Sequence, residues 1–261
     1  MAENPYAAPR THVADVPATL PDGDFIPEGR GVSAGRGWGW IAEAWGFMGE
    51  QRWTFVGVFL LMMILYIGAN FLPILGPIAV SLFSPVLLGG FLLGCDALRQ
   101  GQRFEVGHLF AGFQRHAGKL VALGAISLAF AILAAIIMVL VVGVSILPMY
   151  GVGEPDPEQV AGMLLPMLLA VLVIMAVSLP LSMAFLFAMP LIVLRDADVV
   201  PALKTSFFAC LKNILPFLVW SLAMFGLYLL SALTLFLALL LLLPVAMVSL
   251  YLAYRDVFHD I

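Results

Sequence analysis

Three acid–arginine couples punctuate a chain that is otherwise short of charge: Asp96 with Arg99, Arg195 beside Asp196, and Arg255 beside Asp256. Each follows a long apolar run, which places all six side chains near one depth. Local ion pairing and basic anchoring would account for them. Their sharper use would be recognition, as a polar ring that engages a partner or an anionic lipid headgroup through charge-assisted hydrogen bonds. A second cluster is aromatic. Trp38, Trp40, Trp45 and Trp53 are four of the five tryptophans, packed into residues 35–55. An indole at headgroup level buries its ring and keeps its N–H wet, so these four read as interfacial anchors. A cage for a quaternary ammonium is the alternative, with only Glu43 and Glu50 to supply acid nearby.

Catalytic and metal chemistry find little to work with. Residues 53–95, 120–153, 160–194 and 214–254 contain no Asp, Glu, Lys, Arg or His. Ionisable groups inside a membrane are the usual mark of proton relays and ion-coupled carriers, although backbone carbonyls at a broken helix can hold sodium. Their absence also removes the general acids, bases and metal ligands of an intramembrane enzyme. Glu105 and His108 could share a metal at i, i+3, but two ligands make a weak site. With His116 they read as solvated interface residues. Glu154, Asp156 and Glu158 read as a plain solvated loop between prolines. Cys95 and Cys210 lack metal-site spacing and read as packing residues. "GRGVSAGRG" follows no strand and is a poor phosphate loop. No catalytic residue, cofactor, metal or nucleic-acid partner is expected.

The elements that must position these residues follow from composition. The chain is 63% hydrophobic and 11% charged over 261 residues, with a mean hydropathy of +1.08. A soluble domain carries about 25% charged residues, so lipid must be the solvent for most of this chain. Apolar runs at 53–71, 78–95, 120–147 and 160–194, with two more inside 214–254, give six spans. Asn70, Pro73, Gly76 and Pro77 break the first pair. Pro166, Pro180 and Pro190 are expected to bend the fourth run or detach its first turns. The turn between the last two spans is placed near 227–231. Residues 1–34, with five prolines and no apolar stretch, read as a disordered leader without a signal peptide. Residues 35–261 form the membrane domain.

All twelve basic residues then fall on one face: Arg10, Arg30, Arg36, Arg52, Arg99, Arg103, Arg115, Lys119, Arg195, Lys204, Lys212 and Arg255. The positive-inside rule makes that face, and both termini, cytoplasmic.

A threefold pattern is superimposed. "EAWGFMGEQRW", "HLFAGFQRHAGKL" and "KTSFFACLKNI" each open a hairpin, with Phe47, Phe113 and Phe207 six residues before Trp53, Lys119 and Asn213. The reading is three pseudo-repeats, 38–99, 104–198 and 201–258. Each is a transmembrane hairpin preceded by a cytoplasmic-side amphipathic helix at the interface. The fold class expected is an all-α polytopic membrane helical bundle. Gly90 and Gly94 form a GxxxG stripe for close helix approach, within the chain or in a homo-oligomer.

"GWGWIAEAWGFM", "GPIAVSLFSPVLLGG", "HLFAGFQRHAGKLVALG", "ALKTSFFACLKNILPFLVW" and "YLAYRDVF" resemble a family of uncharacterised proteobacterial inner-membrane proteins, a domain of unknown function, over about residues 35–258. The chain is more distantly similar to the membrane-anchoring domain ahead of some glycerophosphodiester phosphodiesterases. The resemblance implies a bacterial inner membrane and a multi-pass fold. It transfers no activity, and the soluble phosphodiesterase domain is absent from this sequence. The function expected is non-enzymatic, organising or stabilising a membrane complex or its lipid surroundings. Membrane lipids, a membrane-protein partner or a second copy would be its company. An uncoupled transporter or flippase for a neutral or amphipathic molecule is the alternative.

Overall fold

The structure, a computed structural model, describes residues 23–146 and 157–260. It is an all-α polytopic bundle with six helices long and apolar enough to cross a membrane. A two-residue strand β1 (Asp24–Phe25) is followed by α1 (Arg36–Met48), α2 (Arg52–Asn70) and α3 (Leu75–Arg99). A 3-10 turn (Val106–Phe110) and the short α4 (Ala111–Gln114) precede the long pair α5 (Ala117–Ile146) and α6 (Pro157–Arg195). Then come α7 (Val199–Lys212), α8 (Ile214–Ser231), α9 (Leu239–Phe258) and strand β2 (His259–Asp260). The chain thus runs three times through a surface segment followed by a hairpin.

The packing of these units is cyclic. The three closing helices α3, α6 and α9 touch one another. Each surface segment lies on the closing helix of the unit before it: α4 and its 3-10 turn on α3, α7 on α6, and α1 on α9. Glycine makes one of these crossings close, α3 with its surface segment, and also the approach of α1 to α8. A Cβ on Gly90 would stand 2.2 Å from the Leu109 carbonyl, and one on Gly37 would stand 2.1 Å from that of Pro216 on α8. Gly94 admits the Phe104 ring. Gly90 and Gly94 therefore face the chain's own surface segment. The α7–α6 crossing is hydrogen-bonded instead. Ser206 accepts from Phe187 N at 2.9 Å and donates to Met183 O at 2.7 Å, joining the two ends of one turn of α6.

Several local expectations are corrected. The middle surface segment is not an amphipathic helix but an extended stretch, a 3-10 turn and one turn of α-helix. Gly101 sits at φ +80° and Glu105 is extended, so no regular helix runs through 101–105. The first turns of the fourth span are not detached, since it is one continuous helix of 39 residues with Pro166, Pro180 and Pro190 inside it. At 1.5 Å per residue it is about 58 Å long, more than a hydrocarbon core of about 30 Å. The turn between α8 and α9 lies at 232–238, later than 227–231. Hydroxyls mark it: Ser231 donates to Tyr228 O, and Thr234 Oγ1 accepts from Ala238 N. The acidic loop lies outside the described residues apart from the backbone start of α6.

The leader boundary also moves. Residues 24–34 are held on the C-terminal helix, with β1 antiparallel to β2, Asp24 opposite Asp260 and Phe25 opposite His259. Ile26 N and Arg30 N donate to the carbonyls of Phe258 and Val257, both at 2.8 Å. The composition of residues 23–34 is that of a tail. The partners that order it are more than 180 residues away in sequence, so no local pattern reveals them.

Candidate functional site

The six charged residues at the hairpin ends occupy one end of the bundle, and the structure distributes them unlike their order in sequence. Asp96 and Arg99 pair as neighbours on α3, Nε to Oδ1 at 3.0 Å. Arg195 and Asp196 separate. Arg195 contacts His259 Nε2 at 2.8 Å and stands 4.2 Å above the Phe25 ring. Asp196 turns outward to Lys119 at 2.9 Å and His116 at 3.1 Å. Arg255 and Asp256 also separate. Asp256 receives Arg30 Nη2 at 3.1 Å, Trp40 Nε1 at 2.9 Å and Arg36 Nε.

Helical phase explains the separation. Adjacent residues on a helix point about 100° apart, so Arg255 and Asp256 face different neighbours. Asp196 follows the last turn of α6 in the left-handed region at φ +54°, a conformation Asp tolerates better than most residues. That turns its carboxylate toward α5.

The inward-facing groups converge on two tyrosines. The Tyr251 hydroxyl donates to Asp96 Oδ1 at 3.0 Å and lies in electrostatic reach of Arg99 and Arg255. Tyr254 feels Arg195, Asp96 and Arg255 together. Arg99, Arg255 and Asp256 are all buried. The arrangement is a closed polar knot more than an open ring. Chemically it cross-links the three hairpin ends, because each buried charge is costly unless paired and hydrogen-bonded.

An N-terminal strap completes it. Arg30 reaches both Asp256 and Asp260. Buried Asn213, at the α7–α8 junction, accepts from Val32 N at 2.8 Å and donates to Arg30 O at 2.9 Å. Lys212 Nζ donates to the Glu28 and Gly29 carbonyls. Gly29 is at φ +64° with Ala209 and Val257 3.1 Å from where a Cβ would be, so only glycine fits there without strain. Arg30, Arg36, Asn213, Tyr251, Tyr254 and His259 were not among the sequence candidates. Arg30 and Arg36 were visible only as basic residues. The Tyr251, Tyr254, Arg255 spacing is the one signal that marks a shared helix face.

The four clustered tryptophans divide. Trp38, Trp45 and Trp53 are exposed, as an interfacial belt requires. Trp40 is fully buried, and its indole N–H is bonded to Asp256 in place of water. Gly37, Trp40, Ile41, Ala44 and Met48 form the buried face of α1, at the 3.6-residue period. Trp38 and Trp45 lie on the other side.

Outside the knot, electrostatics are weaker. Lys119 holds the Asp196 carboxyl below the usual carboxylate range through its hydrogen bond and charge. Burial pushes the Cys210 thiol up to about 12, where it is inert. Glu105 and His108 cap their own 3-10 turn, with Glu105 N donating to His108 Nδ1 at 3.0 Å. Among the described residues no three of His, Cys, Asp and Glu converge on one point.

Fold and site together define a multi-pass helical membrane protein whose polar end is locked by its own N- and C-terminal segments. No protein-family model, no curated protein and no solved structure matches the chain.

Proposed function

We propose that this chain is a non-catalytic protein of a bacterial inner membrane, with both termini cytoplasmic, that organises or stabilises a membrane complex or its lipid surroundings. One observation carries the reading. The charged groups of the hairpin ends are engaged within the chain, so the membrane-embedded part offers its surroundings apolar surface. The segregation of every Lys and Arg supports the orientation. The family resemblance supports the choice of membrane.

The charges of the knot do double duty as fold. Reversing Asp96, Arg195 or Arg255 would unseat hairpins as well as any partner, so such variants cannot report on a partner alone. Reconstitution separates the readings. Proteoliposomes should show no saturable flux of neutral or amphipathic solutes, and gently extracted protein should carry specific lipid or protein in native mass spectrometry. Saturable flux would overturn the reading in favour of the uncoupled transporter. Reporters at 148–159 should be active on the periplasmic side, and cytoplasmic reporter activity there would overturn the orientation.

A further inference from the structure

The cyclic packing has one open joint. A closing helix meets the opening helix of the next unit between α3 and α5 and between α9 and α2. The α3–α5 joint is tight, since a Cβ on Gly124 would stand 2.5 Å from the Leu82 carbonyl. At the third joint α6 and α8 make no comparable contact among the described residues. A cavity of 610 Å³ lies between them instead. Leu179, Met183 and Leu186 of α6 form one wall and Leu218 and Ser221 of α8 the other, with Leu211 of α7 above. Leu179, Leu211, Leu218 and Ser221 are exposed, so the cavity opens sideways.

Length and charge select the occupant. Leu179 to Leu186 is seven residues, a rise of about 10 Å, against about 15 Å for one leaflet of hydrocarbon. The cleft is roofed by α7 residues Phe207, Cys210 and Leu211 and is shorter than a single leaflet. A partner helix would need a groove through both leaflets, and its diameter of about 10–12 Å does not fit a cavity of this size. The volume falls in the range of about 300–1,000 Å³ typical of small-molecule sites. Lys204 is exposed, one turn before Phe207 and two before Leu211, which both line the cavity, on one stripe of α7. It makes no ion pair among the described residues.

We propose that this cleft is a binding site for one acyl chain of an anionic glycerophospholipid, whose phosphate is met by Lys204. The inference deepens the reading of the chain as an organiser of its lipid surroundings, and rests on it. The seat is built rigidly. Ser206 and Cys210 of α7 both bond the Met183 carbonyl of α6, at 2.7 and 3.3 Å, so the roof is clamped to one wall. The opposite wall is free of that clamp.

The test uses the full chain in nanodiscs of phosphatidylethanolamine and phosphatidylglycerol carrying a trace of phosphatidylglycerol with a mid-chain photoactivatable diazirine. Peptide mapping should place adducts on residues 179–186 and 214–221, with several-fold less on the exposed face of α5. L218W, which fills the cleft, should cut cleft labelling at least fivefold while leaving labelling of α5 and the thermal midpoint unchanged. K204E should lower the preference for phosphatidylglycerol over phosphatidylcholine probe about fivefold or more, one charge being worth about 1 kcal/mol at such a surface. Even labelling of all lipid-facing helices, undiminished labelling in L218W, or cleft adducts to another protein would each overturn the proposal. Should K204E fail to fold, L218W decides alone. Loss of cleft labelling with other lipids still retained would sink this site only. Saturable solute flux would sink the functional reading beneath it.

Discussion

Helices α5 and α9 invert the rule for soluble proteins. The most apolar stretch of α5 has a mean hydropathy of 3.0 and none of its residues buried in the protein. That of α9 has 1.5 with 61% buried, and α3 has 2.1 with 50%. In water, burial inside protein is what apolar residues seek. In a bilayer the lipid already offers that environment, and contact between helices is driven by packing, hydrogen bonds and small residues. So α9 spends its sequence on Ser249, Tyr251, Tyr254, Arg255 and Asp256, while α5 spends its own on Ile, Leu and Val. Hydropathy in this molecule measures exposure to lipid, and its local dips mark the interior.

The comparison can be broken at either helix. The largest effect is expected at the buried end of α9. Asp256→Ala removes the shared acceptor of Arg30, Arg36 and Trp40, three hydrogen bonds to one carboxylate, and leaves the buried Trp40 N–H unpaired, a loss of about 3–5 kcal/mol. Thermal unfolding in detergent should show it, together with faster proteolysis of residues 24–34. A change below about 1 kcal/mol would mean the knot is not a lock. Next is Ile136→Lys on the exposed face of α5. A soluble surface would ignore it, whereas a lipid-facing position should cost about 3 kcal/mol of insertion, read with a topology reporter. Neutral behaviour there would contradict the assignment of α5 to lipid.

Smaller changes sharpen the contrast. Tyr251→Phe deletes one hydrogen bond to Asp96 and should cost about 1–2 kcal/mol, with the fold retained. The weakest effect belongs to the outward-facing Asp196. Its carboxyl is held below the usual value in the folded chain, so its contribution is present at neutral pH and disappears as pH falls through that lowered value. Acidification below about pH 4 should loosen the α5–α6 junction slightly in hydrogen exchange. Lys119→Ala should abolish that pH response.

Part of the knot was legible beforehand and part was not. The acid and arginine at each hairpin end announce a polar layer, because nothing else in those runs is charged. Pairing is another matter. Asp196 sits beside Arg195 but bonds Lys119, and Asp256 sits beside Arg255 but bonds Arg30 and Arg36, since backbone geometry, not adjacency, decides which side chains meet. Trp40 looked like its neighbours because an interfacial indole and a buried one have the same composition around them.

The amino-acid sequence by itself determined that lipid surrounds this chain, how many times it crosses, and which end of the bundle carries its charge. Those follow from hydropathy and charge order, which are one-dimensional properties. Only the tertiary structure decided that each surface segment leans on the preceding hairpin, that residues 24–34 strap the last helix, and that one of three joints stays open. Those depend on glycine-sized approaches and hydrogen bonds between residues far apart in the chain, and such contacts exist only after the helices have packed.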